Sequence, residues 1–167
     1  MDSIVSQVIE ILKRRKQQSK DLTYQNSAIS PDKQIFITNG NINLRNVSIQ
    51  LVSELYALRR DNDWIDWILY GIDFETKFNF YIGSQTLNFI PMKMITDWPV
   101  NFIVNQSSPV FAFYHSLITR RDIAAIPDQS TVVVTSQQRL TEEAQEISVL
   151  KNLKFHVRTD ENCIWQR

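Results

Sequence analysis

The sequence predicts an α+β fold: a single mixed α/β domain of short strands and helices, preceded by an amphipathic N-terminal helix. Three observations predict it. At the start, Ile4, Val5, Val8, Ile9, Ile11 and Leu12 recur at helical spacing and share one face. In the middle the period drops to two, where Phe74, Phe78, Phe80 and Ile82 alternate with Glu75, Lys77, Asn79 and Tyr81. Near the end, the β-branched run from Thr131 to Thr135 leads through a helix capped by Thr141 to a closing strand carrying Leu153, Phe155 and Val157.

The leading helix spans residues 1–18. Asp2 or Ser3 can cap its first turn, and Lys13, Arg14, Arg15 and Lys16 close its C-terminal end, which suits the helix dipole. Residues 19–33 are polar and read as a linker, within which Leu22 to Tyr24 fit either a short strand or a turn of irregular chain, so 34–167 form the single α+β domain. A striped helix on a loose tether points to docking, with Ile4, Val8, Ile11 and Leu12 meeting a partner. The same pattern also fits a first helix packed on its own core.

Within the domain, Gln34 to Thr38 reads as a strand, and Asn39-Gly40-Asn41 as a turn returning a second strand, through Ile42 and Leu44, against it. Helical spacing follows from Ile49 to Leu58. A second helix carries Trp64 to Leu69, capped by Asp61, Asn62 or Asp63 and stopped by Gly71. Pro91 splits the apolar stretch 87–95 into two short elements. Strands at 100–104 and 110–113 precede a short helix begun by the capping-box pair Thr119 and Asp122. Most of the central aromatic residues belong in the core, with Tyr81 and Tyr114 on the polar parity.

Lysine plus arginine and aspartate plus glutamate number 18 each, so the formal net charge is zero. A general nucleic-acid binder needs a basic excess to neutralise phosphates, and this chain has none. The early apolar residues are interrupted by polar ones, which rules out a signal-peptide core, and no run approaches the ~18 residues of a membrane span. These features imply a soluble protein. Cys163 is the only cysteine, so an internal disulfide is excluded and a reducing cytosol fits.

Catalytic chemistry is hard to find. Gly40, Gly71 and Gly83 are too dispersed for a phosphate loop. His115, His156 and Cys163 have no metal-ligand spacing, and no nucleophile has a base and an orienting group beside it. The acidic cluster of Asp61, Asp63, Asp66, Asp73 and Glu75 reads as a capped, solvated helix start. No catalytic, cofactor-binding or metal-binding residue is therefore expected. Arg120 and Arg121 stand out, because two bases at a helix start oppose the dipole unless an anionic group is near. A contact with an acidic partner surface and a buried structural ion pair are both open there.

The order of landmarks resembles the PduM family of propanediol-utilisation bacterial microcompartment proteins. The resemblance rests on the leading helix, the segment Ser48 to Ala57, Gly71-Ile72 before an alternating strand, and Ile90-Pro91-Met92-Lys93. The run Ser116 to Asp122 and the strand–helix–strand ending complete it. It implies a non-catalytic structural or adaptor component needed for compartment assembly, in the cytoplasm, without a cofactor. Its implied partners are shell proteins and/or encapsulated enzymes, with no nucleic acid or membrane. The leading helix is similar to the short helices that fix cargo to shell interiors. The alternative is a small-molecule-binding or weakly catalytic domain inside the compartment, with a pocket beside His115, Arg120 and Arg121.

Overall fold

The structure, a computed structural model, describes residues 2–26 and 28–158, the side chains of Asp2 and Ser3 apart. It has the predicted mixed α/β character, short strands and helices with a helix ahead of the sheet. The chain divides into two compact units, residues 1–80 and 81–167.

The first unit runs α1 (Asp2–Gln17), β1 (Ser19–Thr23), α2 (Ile35–Thr38), β2 (Asn41–Arg45), α3 (Ile49–Tyr56), α4 (Asp63–Asp73) and the start of β3 (Lys77–Ile82). The strands are parallel with β2 in the middle, and Ile42 registers with Phe78 as Leu44 does with Phe80. All four are fully buried, as the period-two pattern requires. Leu51 and Leu55 of α3 and Ile65, Trp67 and Ile68 of α4 are buried as well, and the Trp67 ring meets Phe78 edge-on at 5.8 Å. Phe36 joins this cluster, its ring 4.7 Å from Trp67 and 6.1 Å from Phe78.

Three expectations for this unit are corrected. The 19–33 linker contains β1, hydrogen-bonded along β2 from Ser19↔Asn41 to Thr23↔Arg45. Of the two readings open at Leu22 to Tyr24, the strand holds for Leu22 and Thr23. Its polar start escapes a hydrophobicity reading because an edge strand is held by backbone bonds and polar pairs, such as Asn43 Nδ2 donating to Asp21 Oδ1 at 2.7 Å. The strand expected at 34–38 is the short helix α2. The Asp32 carboxylate accepts from Gln34 N at 2.9 Å, and the Asp32 and Lys33 carbonyls accept from Ile35 and Phe36 N, which winds the chain there. An apolar run this short carries no decisive period. Consequently β2 does not fold back on a hairpin partner but lies parallel to β1, and the segment between them is a crossover.

The third correction concerns Gly71. It lies inside α4, where an added Cβ would sit 2.7 Å from carbons of the Phe36 and Phe78 rings, so its role is close packing. The helix ends at Asp73 with Phe74 as its C-cap, and the next residue, Glu75, adopts φ 57°. Glu75 N donates to Ile72 O and Thr76 N to Gly71 O, the paired bonds of a Schellman motif. The same pair ends α3 at Leu58 (φ 55°) and the last helix of the chain at Asn152 (φ 51°). No glycine fills these left-handed positions; among the described residues every positive φ belongs to another residue type.

The second unit contains a 3-10 turn (Ser84–Asn88), α5 (Met92–Asp97), β4 (Val100–Val104), β5 (Ser108–Ala112) and β6 (Leu117–Ile118). It continues with α6 (Arg120–Ala125), β7 (Thr131–Thr135), β8 (Arg139–Leu140), α7 (Glu142–Leu150) and β9 (Lys154–Arg158). Pro91 separates two short elements as expected. β4 and β5 are antiparallel across a turn in which Asn105 and Gln106 are left-handed. β5, β7 and β9 are parallel with β7 central, and all five β7 residues are buried. β6 and β8 form a separate parallel pair too short to show in sequence. Ile118, Ile123, Val132, Val134 and Ala144 make the core between α6, α7 and β7.

β9 reverses the expected parity. Phe155 and Val157 are exposed, whereas Arg158 is 3% exposed and donates from Nη1 to Ile90 O at 2.7 Å. His156 Nε2 lies 2.8 Å from Asn88 Oδ1 on the same parity. The strand turns its polar residues inward because a carbonyl and an amide wait for them there.

Candidate interaction surfaces

α1 is held to the first unit at its C-terminal end, where Asn41 Nδ2 donates to Lys16 O at 2.8 Å and Arg15 makes the larger set of contacts. Arg15 Nε donates to Phe36 O at 2.7 Å, and Nη2 donates to Phe74 O at 2.8 Å and to Thr76 Oγ1 at 3.0 Å. Its guanidinium also lies over the Phe74 ring, 5.1 Å from the centroid. Phe36 lies in the single turn of α2 and Phe74 is the C-cap of α4, places where carbonyls lack helical partners and the dipole favours a cation. One arginine therefore closes two helix ends and fixes a third helix. Gly40 N donates to Arg15 O at 2.8 Å, and a Cβ at Gly40 would lie 2.7 Å from that oxygen, so glycine is what lets the two backbones meet.

Beyond this clamp the helix is bare. Ile4, Val5, Val8, Ile9, Ile11 and Leu12 are each 46–68% exposed, so the stripe does not pack on its own core. Sequence reasoning counted Arg15 only among the terminal bases. Its spacing carried a signal: position 15 continues the 4, 8, 11, 12 progression, which puts a charged residue on the apolar face. The clamp also replaces the supposed tether, since a single residue, Gln18, separates α1 from β1.

Arg120 and Arg121 are exposed at the start of α6, and among the described residues neither enters an ion pair, so the buried-pair reading falls away. The nearby carboxylate is committed elsewhere. Asp122 Oδ2 accepts from Thr119 N and Thr119 Oγ1, both at 2.8 Å, and lies 3.0 Å from His115 Nε2. The Thr119 backbone bond, followed by the hydroxyl and His115, holds the Asp122 carboxyl below the ordinary carboxylate range. The expected capping box is thus formed. Gln138, to which sequence reasoning gave no role, ties this region together: it accepts from Thr135 N and donates to Phe113 O and His115 O.

The remaining candidates are scattered. Asp66 binds Lys33 at 2.9 Å and Arg60 at 3.6 Å, and Asp61 binds Arg59 at 3.3 Å, so the acidic cluster is divided among separate ion pairs. Among the described residues no group of three or more His, Cys, Asp or Glu is placed to hold a metal. Cys163 lies outside the described residues. A cavity of about 430 Å³ in the first unit is lined by Glu54, Arg59, Asp61, Asn62 and Trp64. A second, of about 390 Å³, is bounded by Leu140, Val149, Leu153 and Phe155 in the other unit. Neither includes His115, Arg120 or Arg121. Tyr114 is exposed and donates to Asp97 Oδ2, while Tyr81 is half-buried.

These features define a small mixed α/β protein whose most developed surface is a clamped, uncovered amphipathic helix. No helix among the described residues is long and apolar enough to cross a membrane. Residues 3–154 match the family model described as "putative propanediol utilisation", and the chain belongs to this PDU-like family. Neither curated proteins nor solved structures give a match to the chain.

Proposed function

We propose that the chain is a non-catalytic structural or adaptor component of a propanediol-utilisation bacterial microcompartment, of the PduM kind, working in the cytoplasm. Its partners on this reading are shell proteins and/or encapsulated enzymes, met by the α1 stripe and by Arg120 and Arg121. The observation that carries the reading is the stripe itself: six apolar side chains left in water on a helix that its own unit grips at the far end. Family membership supplies the setting.

The test is co-purification with compartments from cells expressing the whole operon. Each leucine-sized side chain moved out of water contributes about 1.5–3 kcal/mol. Val8→Glu with Leu12→Glu should therefore remove about 3 kcal/mol or more, over a hundredfold in affinity. The double variant is expected to drop out of purified compartments while melting like the wild type. Arg120→Gln with Arg121→Gln should reduce recovery with a stability change within about 1 kcal/mol, as for exposed charges. Wild-type recovery of both variants would overturn the reading.

A further inference from the structure

The stripe has a symmetry that a single docking groove does not require. Ile4, Val5, Val8, Ile11 and Leu12 are palindromic about Val8: positions 4 and 12, and 5 and 11, lie equally far from it. Ile9 alone breaks the pattern, falling opposite Gln7. Two such helices laid antiparallel, with a two-fold axis at Val8, set Ile4 against Leu12, Val5 against Ile11 and Val8 against itself. The charges agree with that arrangement. In this register Arg14 falls opposite Asp2 and the two helix dipoles oppose, while Glu10, opposite Ser6, keeps its partner within its own helix, Arg14 at 3.9 Å.

The Arg15 clamp selects the same orientation. Arg15 lies on the striped face, so each unit occupies that face from position 15 onward. In a parallel pair both units would compete for the space between the helices at one end. In the antiparallel register about Val8, Arg14 pairs with position 2, so each helix ends where its neighbour's unit begins. We propose that in the free protein the α1 stripe is covered by α1 of a second copy, antiparallel and centred on Val8, and that docking in the compartment exchanges this contact for another. The exchange rests on the reading of α1 as a docking helix given above; the pairing stands without it. With six apolar side chains from each copy, the contact is smaller than a standard interface, so the dimer should be weak enough to be exchanged.

Cysteine cross-linking of the full chain in a Cys163→Ser background tests the pairing. Helices pack 8–10 Å apart, so residues meeting on the axis come within reach of a disulfide. Val8→Cys should form a disulfide-linked dimer on mild oxidation. Ile4→Cys alone should not, because the two copies of position 4 lie about 12 Å apart along the axis. Ile4→Cys mixed with Leu12→Cys should cross-link. In sedimentation the wild type should dimerise in the micromolar range and Val8→Glu should stay monomeric with an unchanged melting temperature. Self-linking of Ile4→Cys as readily as Val8→Cys would overturn the antiparallel arrangement, and a monomeric wild type throughout would overturn the pairing altogether. A monomeric chain that still co-purifies with compartments removes the pairing alone. A dimer missing from compartments removes the adaptor reading and leaves the pairing in place.

Discussion

Exchanging alanine for Gly71 tests the packing of the first unit, because two opposing effects of known size meet at one atom. Alanine favours a helix interior over glycine by about 1 kcal/mol. Against this, the new Cβ would stand 2.7 Å from Phe36 Cε1 and Cζ and from Phe78 Cζ. Carbon atoms rest at about 3.5–4.0 Å, so both rings would have to retreat by about 1 Å. Both rings are fully buried, and overpacking of this kind costs about 1–3 kcal/mol. Contact with two separate rings places Gly71→Ala toward the upper end, for a net loss of about 1–2 kcal/mol. The companion change lies four residues on. Glu75→Gly should relieve a left-handed residue and gain up to about 1 kcal/mol. Urea unfolding followed by the fluorescence of buried Trp64 and Trp67 reads both. A Gly71→Ala protein as stable as the wild type would refute the close packing, and a destabilised Glu75→Gly would refute the helix-end assignment.

Arg15→Ala should release α1 without unfolding its unit, so hydrogen exchange should accelerate over residues 4–17 and stay unchanged in β2 and α4; retained protection of α1 would show that the clamp is dispensable. Phe78→Ala should cost about 3–5 kcal/mol, checked by the same urea titration, since the ring is fully buried between β2 and α4. Burial first, and the Arg158 charge second, hold the His156 imidazole below the ordinary value of 6.5. The unfolded chain then takes up that proton before the folded one, so stability is full above pH 6.5 and falls as the pH drops below it. His156→Asn should flatten this part of the pH profile, and an unaltered slope would exclude His156 as its source.

Much of the fold was legible wherever a side-chain pattern carried it. The Phe78, Phe80 and Ile82 alternation, the buried β7 run and the caps at Thr119 and Thr141 all stand where their spacing placed them. What stayed hidden was held by backbone or by distant partners. β1, legible only at its Leu22 end and there as either a strand or a turn, has that single half-buried apolar residue and exists because β2 offers it a ladder. Gly71 offers the same letter as a helix stop, and only the rings across from it show that it is a packing position. Arg158 is buried on account of Ile90 O, 68 residues away in sequence. On the candidate surface, the stripe was readable as a stripe, whereas its exposure and the role of Arg15 depend on carbonyls contributed by α2 and α4.

The direct joint between α1 and β1 also gives the molecule a mechanical character. A pull on α1 does not reach a slack tether; it reaches the Arg15 clamp first and then, four residues later, the start of β1. β1 is bound to β2 over five paired positions, in parallel register, at the edge of the sheet. Tension applied to α1 would thereby be delivered to a hydrogen-bonded ladder, and its release governed by the rate at which that ladder opens. Any assembly held through this helix would yield at β1 before it disturbed the buried aromatic cluster behind β2 and β3.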